Sequence, residues 1–194
     1  MGELYLLRHG ETEWSRMGRH TGRTDLPLTP YGEEQARAAG ARLAGHEFRL
    51  VLTSPLQRAA RTAELAGLSG AEVEPDLVEW DYGGYEGLTT PQIRAKGQPS
   101  WRIFHDGVVP GATPGETLAD LAARAERVLT RVRPELAQGD VALVGHGHAL
   151  RVLATVWLER PADLAQQLVL AAASVSVLGA EHDVSAILSW GVSS

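Results

Sequence analysis

Three short apolar runs constrain the fold more than any other feature of the chain. Leu4-Tyr5-Leu6-Leu7, Leu50-Val51-Leu52-Thr53 and Val141-Ala142-Leu143-Val144 are each brief, bounded and apolar on consecutive positions. Such runs lack the alternation of a half-exposed strand and suit strands buried on both faces. Helical patterns separate them. One covers Tyr31 to Leu43, with Thr29 as N-cap, Pro30 in the first turn and Gly45 as the stop. Another opens at Ser54-Pro55 by the same N-cap logic and runs to about Leu65. Glu116 to Leu136, preceded by Pro114-Gly115, and Leu150 to Leu158 complete the long helices. Glu72 to Leu77 reads as a weaker extended segment, and short helices are expected at Pro91–Lys96 and Trp101–Asp106. Ser174–Leu178 and Val184–Trp190 read as a closing antiparallel hairpin at a sheet edge. Strands alternating with helices imply right-handed crossovers and a sheet covered on both faces. The expected fold is therefore α/β: a three-layer α/β/α sandwich around a mainly parallel sheet. The 194 residues suit one domain spanning 1–194, without repeats or a linker.

Composition removes several classes of function. The chain has no cysteine, which excludes disulfides, thiolate zinc sites and thiol catalysis. A net charge of -6 argues against a general nucleic-acid partner. No run is long and apolar enough to span a bilayer and no leader pattern stands out, so the expectation is a cytoplasmic protein without a membrane partner.

The ends of the apolar runs carry the chemistry. The first stops in Arg8-His9-Gly10 and the third in Gly145-His146-Gly147-His148. In a parallel α/β sheet, ligands bind beyond the carboxyl ends of the strands, so both histidines face one crevice. A guanidinium beside an imidazole at such a place is costly without an anion. A phosphoryl group meets the requirement. An imidazole with one nitrogen held by a backbone carbonyl is a nucleophile near neutral pH. Arginines match the phosphoryl oxygens in a planar, bidentate way. Arg58 lies in the first turn of the helix after the second strand, where free N–H groups and the helix dipole favour an anion. His146 is expected to donate to a phosphate oxygen. Glu79 is the candidate general acid for the leaving alkoxide, since a facing phosphate disfavours its charged form. Glu11, Asp81 and Glu86 are its rivals, and His20 and His148 either line the pocket or serve only the fold.

With these residues in place, "LLRHGETEW" resembles the Arg-His-Gly signature of the histidine phosphatase superfamily, which includes the cofactor-dependent phosphoglycerate mutases. "TGRTDLPLTPYGEEQA", "SPLQRAARTAE", "LVEWDYGGYEG" and "VGHGHALR" are similar to further motifs of that family, in the family's order. The resemblance covers essentially the whole chain. It implies a phosphoglycerate mutase-like fold and a phosphohistidine on His9. Arg8, Arg58 and His146 would form the phosphate pocket, and Glu79 would be the acid. Ser15, Thr21, Gly22, Tyr82, Gly147 and His148 would line the substrate side. It implies a small phosphorylated substrate and neither metal nor organic cofactor.

Two departures bear on the activity. Ser15 stands where many members carry Asn. The segment from Tyr82 to Gly115 is short and offers only Arg94, Lys96 and Arg102, without the paired arginines usual in mutases. That favours hydrolysis. "WDYGGYEGLTT", "GRHTG" and "HGHALR" look most like the broad acid phosphatases and sugar-bisphosphate phosphatases. The rival readings are a phosphoglycerate mutase and a non-catalytic sensor of phosphorylated ligands.

Overall fold

In the computed structural model, residues 2–193 are described. The strands are β1 (Leu4–Arg8), β2 (Phe48–Thr53), β3 (Glu72–Val73), β4 (Asp140–Gly145), β5 (Val175–Glu181) and β6 (Val184–Val192). They form one sheet in the order β3-β2-β4-β1-β5-β6. The pairs β3/β2, β2/β4 and β4/β1 are parallel, while β1/β5 and β5/β6 are antiparallel. The helices are α1 (Glu13–Arg16), α2 (Pro30–Leu43), α3 (Gln57–Leu65), α4 (Thr90–Ala95), α5 (Ile103–Asp106), α6 (Leu118–Leu136) and α7 (Gly147–Trp157).

The expected layers are present, and β1 shows why its apolar run is continuous. Leu4 and Leu6 enter one core with residues of α6 and α7, including Leu129, Val132, Leu150 and Leu153. Tyr5 and Leu7 enter the opposite core with Ala39 and Leu43 of α2 and Ala59 and Ala63 of α3. A strand with helices on both faces needs apolar side chains on both. The fold is thus α/β/α with a mostly parallel sheet. No helix among the described residues is long and apolar enough to cross a membrane.

Local signals explain most boundaries. Thr29 caps α2 by accepting the Gly32 N–H at 3.0 Å, with Pro30 in the first turn. Thr117 and Asp120 form a capping box on α6. Three boundaries differ from expectation. Ser54 does not cap α3, which starts at Gln57 behind an uncapped Leu56; Ser54 is fully buried and bonded to His146 instead. Only Glu72–Val73 of the weak third strand pairs, and the chain then turns through a 3-10 helix at Pro75–Leu77. α7 begins at Gly147, three residues before the expected Leu150.

Two glycines bring α2 against the loop after β1. A Cβ on Gly10 would overlap the Gly32 carbonyl oxygen, and one on Gly32 would overlap that of Glu11. This contact seats the loop after His9 on the start of α2.

Candidate active site

The register sets the site. Arg8 of β1 lies opposite Gly145 of β4, so the residues that follow, His9 and His146, leave the sheet side by side. Their ring centroids are 5.1 Å apart. A cavity of about 190 Å³ opens there, lined by Arg8, His9, Glu79, Gly147, Arg151 and other residues of these loops.

His9 is buried, and its Nδ1 lies 2.7 Å from the Gly10 carbonyl oxygen. A carbonyl only accepts, so Nδ1 carries the proton and Nε2 keeps its lone pair. Burial, then the charges of Arg8 and Arg58, push the His9 pKa well below its ordinary value. His9 is a neutral imidazole at neutral pH.

Arg8 donates from one terminal nitrogen to the Leu170 carbonyl, while its Nε is buried without a partner among the described residues. An unpaired buried N–H is costly, and an anion at this wall would satisfy it. Gly147 makes room for the guanidinium, since a Cβ there would lie 3.3 Å from Arg8 Cζ.

Arg58 and His146 lie one layer deeper. Both are fully buried and neither lines the cavity. Arg58 donates to the carbonyls of Thr21, Gly22 and Thr24 and, through Nε, to His146 Nδ1 at 3.1 Å. With Nδ1 accepting, His146 presents N–H at Nε2, which donates to Ser54 Oγ at 2.8 Å. Burial and Arg58 depress the His146 pKa strongly. In this arrangement Arg58 clamps the 21–24 loop and His146 supports it from behind His9.

Among the rival carboxylates, Glu79 alone lines the cavity. Its oxygens accept the N–H groups of His148 (3.1 Å), Ala149 (2.9 Å) and Trp80 (2.9 Å). It therefore anchors the first turn of α7 from far away in sequence. The Gly147 N–H is the first-turn donor that Glu79 does not take. Glu86 accepts from Gly22 and Thr24 N–H, Asp81 from Gly83 N–H and Thr113, and Glu11 from the Thr29 hydroxyl. Those three hold turns.

Of the expected substrate-side set, Ser15, Thr21, Tyr82, Gly147 and His148 line the cavity and Gly22 does not. Gly22 serves Arg58 and Glu86 instead. The Ser15 hydroxyl lines the wall while completing the capping box of α1 with Thr12. The Tyr82 hydroxyl and His148 Nδ1 share a hydrogen bond; burial, Glu79 and Glu86 keep that phenol protonated. His20 donates from Nδ1 to the Leu88 carbonyl and stacks on His148 at 6.1 Å. Sequence reasoning missed Arg19 and Arg151, both lining residues. Arg151 was findable: it lies three and four residues after His148 and Gly147, on the same face of α7.

Comparison with known proteins identifies the family. The family model of the histidine phosphatase superfamily (branch 1) matches residues 4–193. An acid phosphatase of Mycobacterium tuberculosis is 42% identical over 183 residues, covering 93% of this chain and 88% of the relative. A sedoheptulose 1,7-bisphosphatase of Saccharomyces cerevisiae is 36% identical, covering 78% of this chain and 66% of the relative. A 2,3-bisphosphoglycerate-dependent phosphoglycerate mutase of Sinorhizobium fredii is 40% identical, covering 80% of this chain and 79% of the relative. The solved structure of an open reading frame product from Mycobacterium tuberculosis superposes with a TM-score of 0.92 at 39% identity, covering 99% of this chain and 98% of that one. With the motifs, the topology and these relatives in agreement, the chain belongs to branch 1 of the histidine phosphatase superfamily and is a phosphomonoesterase.

Proposed function

We propose that the protein hydrolyses small phosphorylated metabolites, without a metal ion, through a phosphohistidine on Nε2 of His9. The observation that carries this reading is the state of His9. It is neutral, lines the cavity, and is fixed through Nδ1 so that Nε2 is the free nitrogen beside Arg8. In the first step Nε2 attacks phosphorus, the bond from phosphorus to the ester oxygen breaks, and Glu79 gives its proton to the departing alkoxide. In the second, water attacks the phosphohistidine, Glu79 takes a proton from that water, and the P–N bond breaks to restore His9. Arg8 and the Gly147 N–H hold the phosphoryl oxygens. Arg58 and His146 keep positive charge and polar support behind them. The name of the acid phosphatase relative fits a nucleophile that stays unprotonated in mild acid.

The relatives named as mutases support a second reading. It predicts phosphoglycerate isomerisation, primed by a bisphosphate, that outpaces phosphate release. The missing arginine pair between Tyr82 and Gly115 favours hydrolysis.

Phosphate release from a panel of sugar phosphates, phosphoglycerates and phosphoamino acids, with a chelator present, tests the proposal. His9→Ala is expected to abolish release, and a quenched reaction of the native protein is expected to hold acid-labile, alkali-stable phosphate. Full activity in His9→Ala would overturn the reading.

A further inference from the structure

Glu79 is held at both of its ends. The N–H groups of α7 fix its carboxylate oxygens, while its backbone is fixed from the far side by two residues that do not line the cavity. Arg124, in the second turn of α6, is buried and uses all five of its N–H donors. Nε and one terminal nitrogen donate to the two carboxylate oxygens of Glu116 at 2.6 and 2.8 Å. The other bonds run to the carbonyls of Asp76, Val78 and, at 3.4 Å, Glu79 itself. Glu116 grips the same segment further along. Its carbonyl accepts the Trp80 indole N–H at 2.6 Å and its carboxylate the Asp81 N–H at 3.3 Å, while its own N–H donates to the Asp81 carbonyl at 3.0 Å. Asp76, Val78, Glu79, Trp80 and Asp81 are therefore all tied to one ion pair.

Stability alone does not account for that pair. Desolvation offsets the attraction of buried charges, and a well-packed apolar pair of similar volume often serves a fold as well. An apolar pair cannot fix the direction of three carbonyls. The other arginines of α6 make the contrast: Arg127 and Arg131 are exposed and reach only the carboxylates of Asp76, Glu72 and Glu74. A general acid has to stand within about 2.6–3.2 Å of the atom it protonates, so a small shift of its backbone weakens the transfer.

We infer that Arg124, locked by Glu116, is a positioning residue for the general acid: it sets the backbone of Glu79 so that the carboxyl reaches the departing ester oxygen. This rests on the phosphatase reading above. Neither Arg124 nor Glu116 touches the substrate, and their effect falls on the step in which the proton passes from Glu79 to the alkoxide as the ester bond breaks.

Leaving groups separate this role from a merely structural one. p-Nitrophenolate departs without a proton and an alkoxide needs one, so kcat/KM is compared for p-nitrophenyl phosphate and for the alkyl phosphate of the panel that the native protein cleaves fastest. That parameter stops at the first irreversible step and leaves out the water step that both substrates share. Arg124→Lys keeps a buried charge beside Glu116 but loses the planar fork. It is expected to lower the alkyl value by roughly 10- to 100-fold and the p-nitrophenyl value by no more than about threefold. Glu116→Gln, which leaves Arg124 a single side-chain oxygen, is expected to shift the ratio in the same direction and is read alone should Arg124→Lys not fold. A general loosening of the fold would lower both substrates alike. Equal losses on the two substrates, or no loss on either, in the variant that folds overturn the inference. Glu79→Gln alongside keeps the two readings apart. An alkyl-selective loss there, with none in the Arg124 and Glu116 variants, overturns the positioning role alone, whereas equal losses in Glu79→Gln overturn the acid assignment and the positioning role with it.

Discussion

Lowering the pH from 7.5 to 5.5 should cost this protein a large part of its stability, and the buried histidines are the reason. His9, His146 and His148 all have pKa values pushed well below 6.5, with burial as the main cause and neighbouring arginines adding to it. In the unfolded chain each titrates near its ordinary value of about 6.5. The sign follows directly. Below that pH the unfolded chain binds protons that the native state refuses, so stability is fully present above 6.5 and falls as pH drops. One unit below 6.5, each histidine forfeits on the order of 1 kcal/mol, and the three together a few kcal/mol. That compares with a typical total of about 5–15 kcal/mol. Urea unfolding at the two pH values measures the difference directly, and the window lies above the ordinary range of the carboxylates. Stability should fall continuously as the pH drops through 6.5, because the unfolded chain takes up protons there that the native state does not. Equal unfolding free energies at pH 7.5 and 5.5 would refute the claim that these imidazoles are held neutral, and with it the state assigned to the nucleophile.

Other expectations follow from single contacts. Glu79→Gln should slow hydrolysis of alkyl phosphates by about 10²–10⁴, yet cost far less with p-nitrophenyl phosphate, whose leaving group needs no proton; equal losses on both would remove Glu79 as the acid. The kcat/KM profile for an uncharged-leaving-group ester should keep its acid limb below pH 6.5, because the His9 pKa is depressed; a limb at or above 6.5 would contradict that. Arg58→Met strands the carbonyls of Thr21, Gly22 and Thr24 and should destabilise by at least about 3 kcal/mol in denaturant unfolding. Gly32→Ala forces a Cβ onto the Glu11 carbonyl and should cost about 1–3 kcal/mol while loosening the loop after His9, read as a lower Tm and a lower kcat.

The parts of this molecule that were legible in the sequence are those set by local pattern. β1, β2 and β4 announced themselves as continuous apolar runs because helices cover both sides of the sheet. α2 was legible down to its cap because Thr29 and Pro30 act on their own helix. Arg8, His9 and His146 were legible because a parallel sheet delivers its strand ends to one edge, which the Arg8–Gly145 pairing realises. Ser54 was misread for the opposite reason. The Ser-Pro pair has the look of an N-cap, but the Ser54 hydroxyl bonds to His146, 92 residues away, and α3 starts without it.

The early start of α7 shows most clearly why part of the site escaped. Gly147 is a poor helix former, so local propensity delays the helix to Leu150. What starts it earlier is Glu79, which accepts the His148 and Ala149 N–H groups across 69 and 70 positions of sequence and acts as a cap borrowed from another segment. That contact does two things at once. It draws the carboxyl to the cavity wall, which no spacing within "LVEWDYGGYEG" could distinguish from Asp81 or Glu86. It also fixes the first turn of α7, the helix that carries Arg151 to the cavity wall. A change at Glu79 therefore acts twice, on proton transfer and on the start of α7. Glu79→Ala removes both acceptor oxygens and should lower the unfolding free energy by about 1–3 kcal/mol, whereas Glu79→Gln keeps one acceptor oxygen for the turn and should cost less. Equal losses in the two variants, read by denaturant unfolding, would break the link between this carboxylate and the early start of α7.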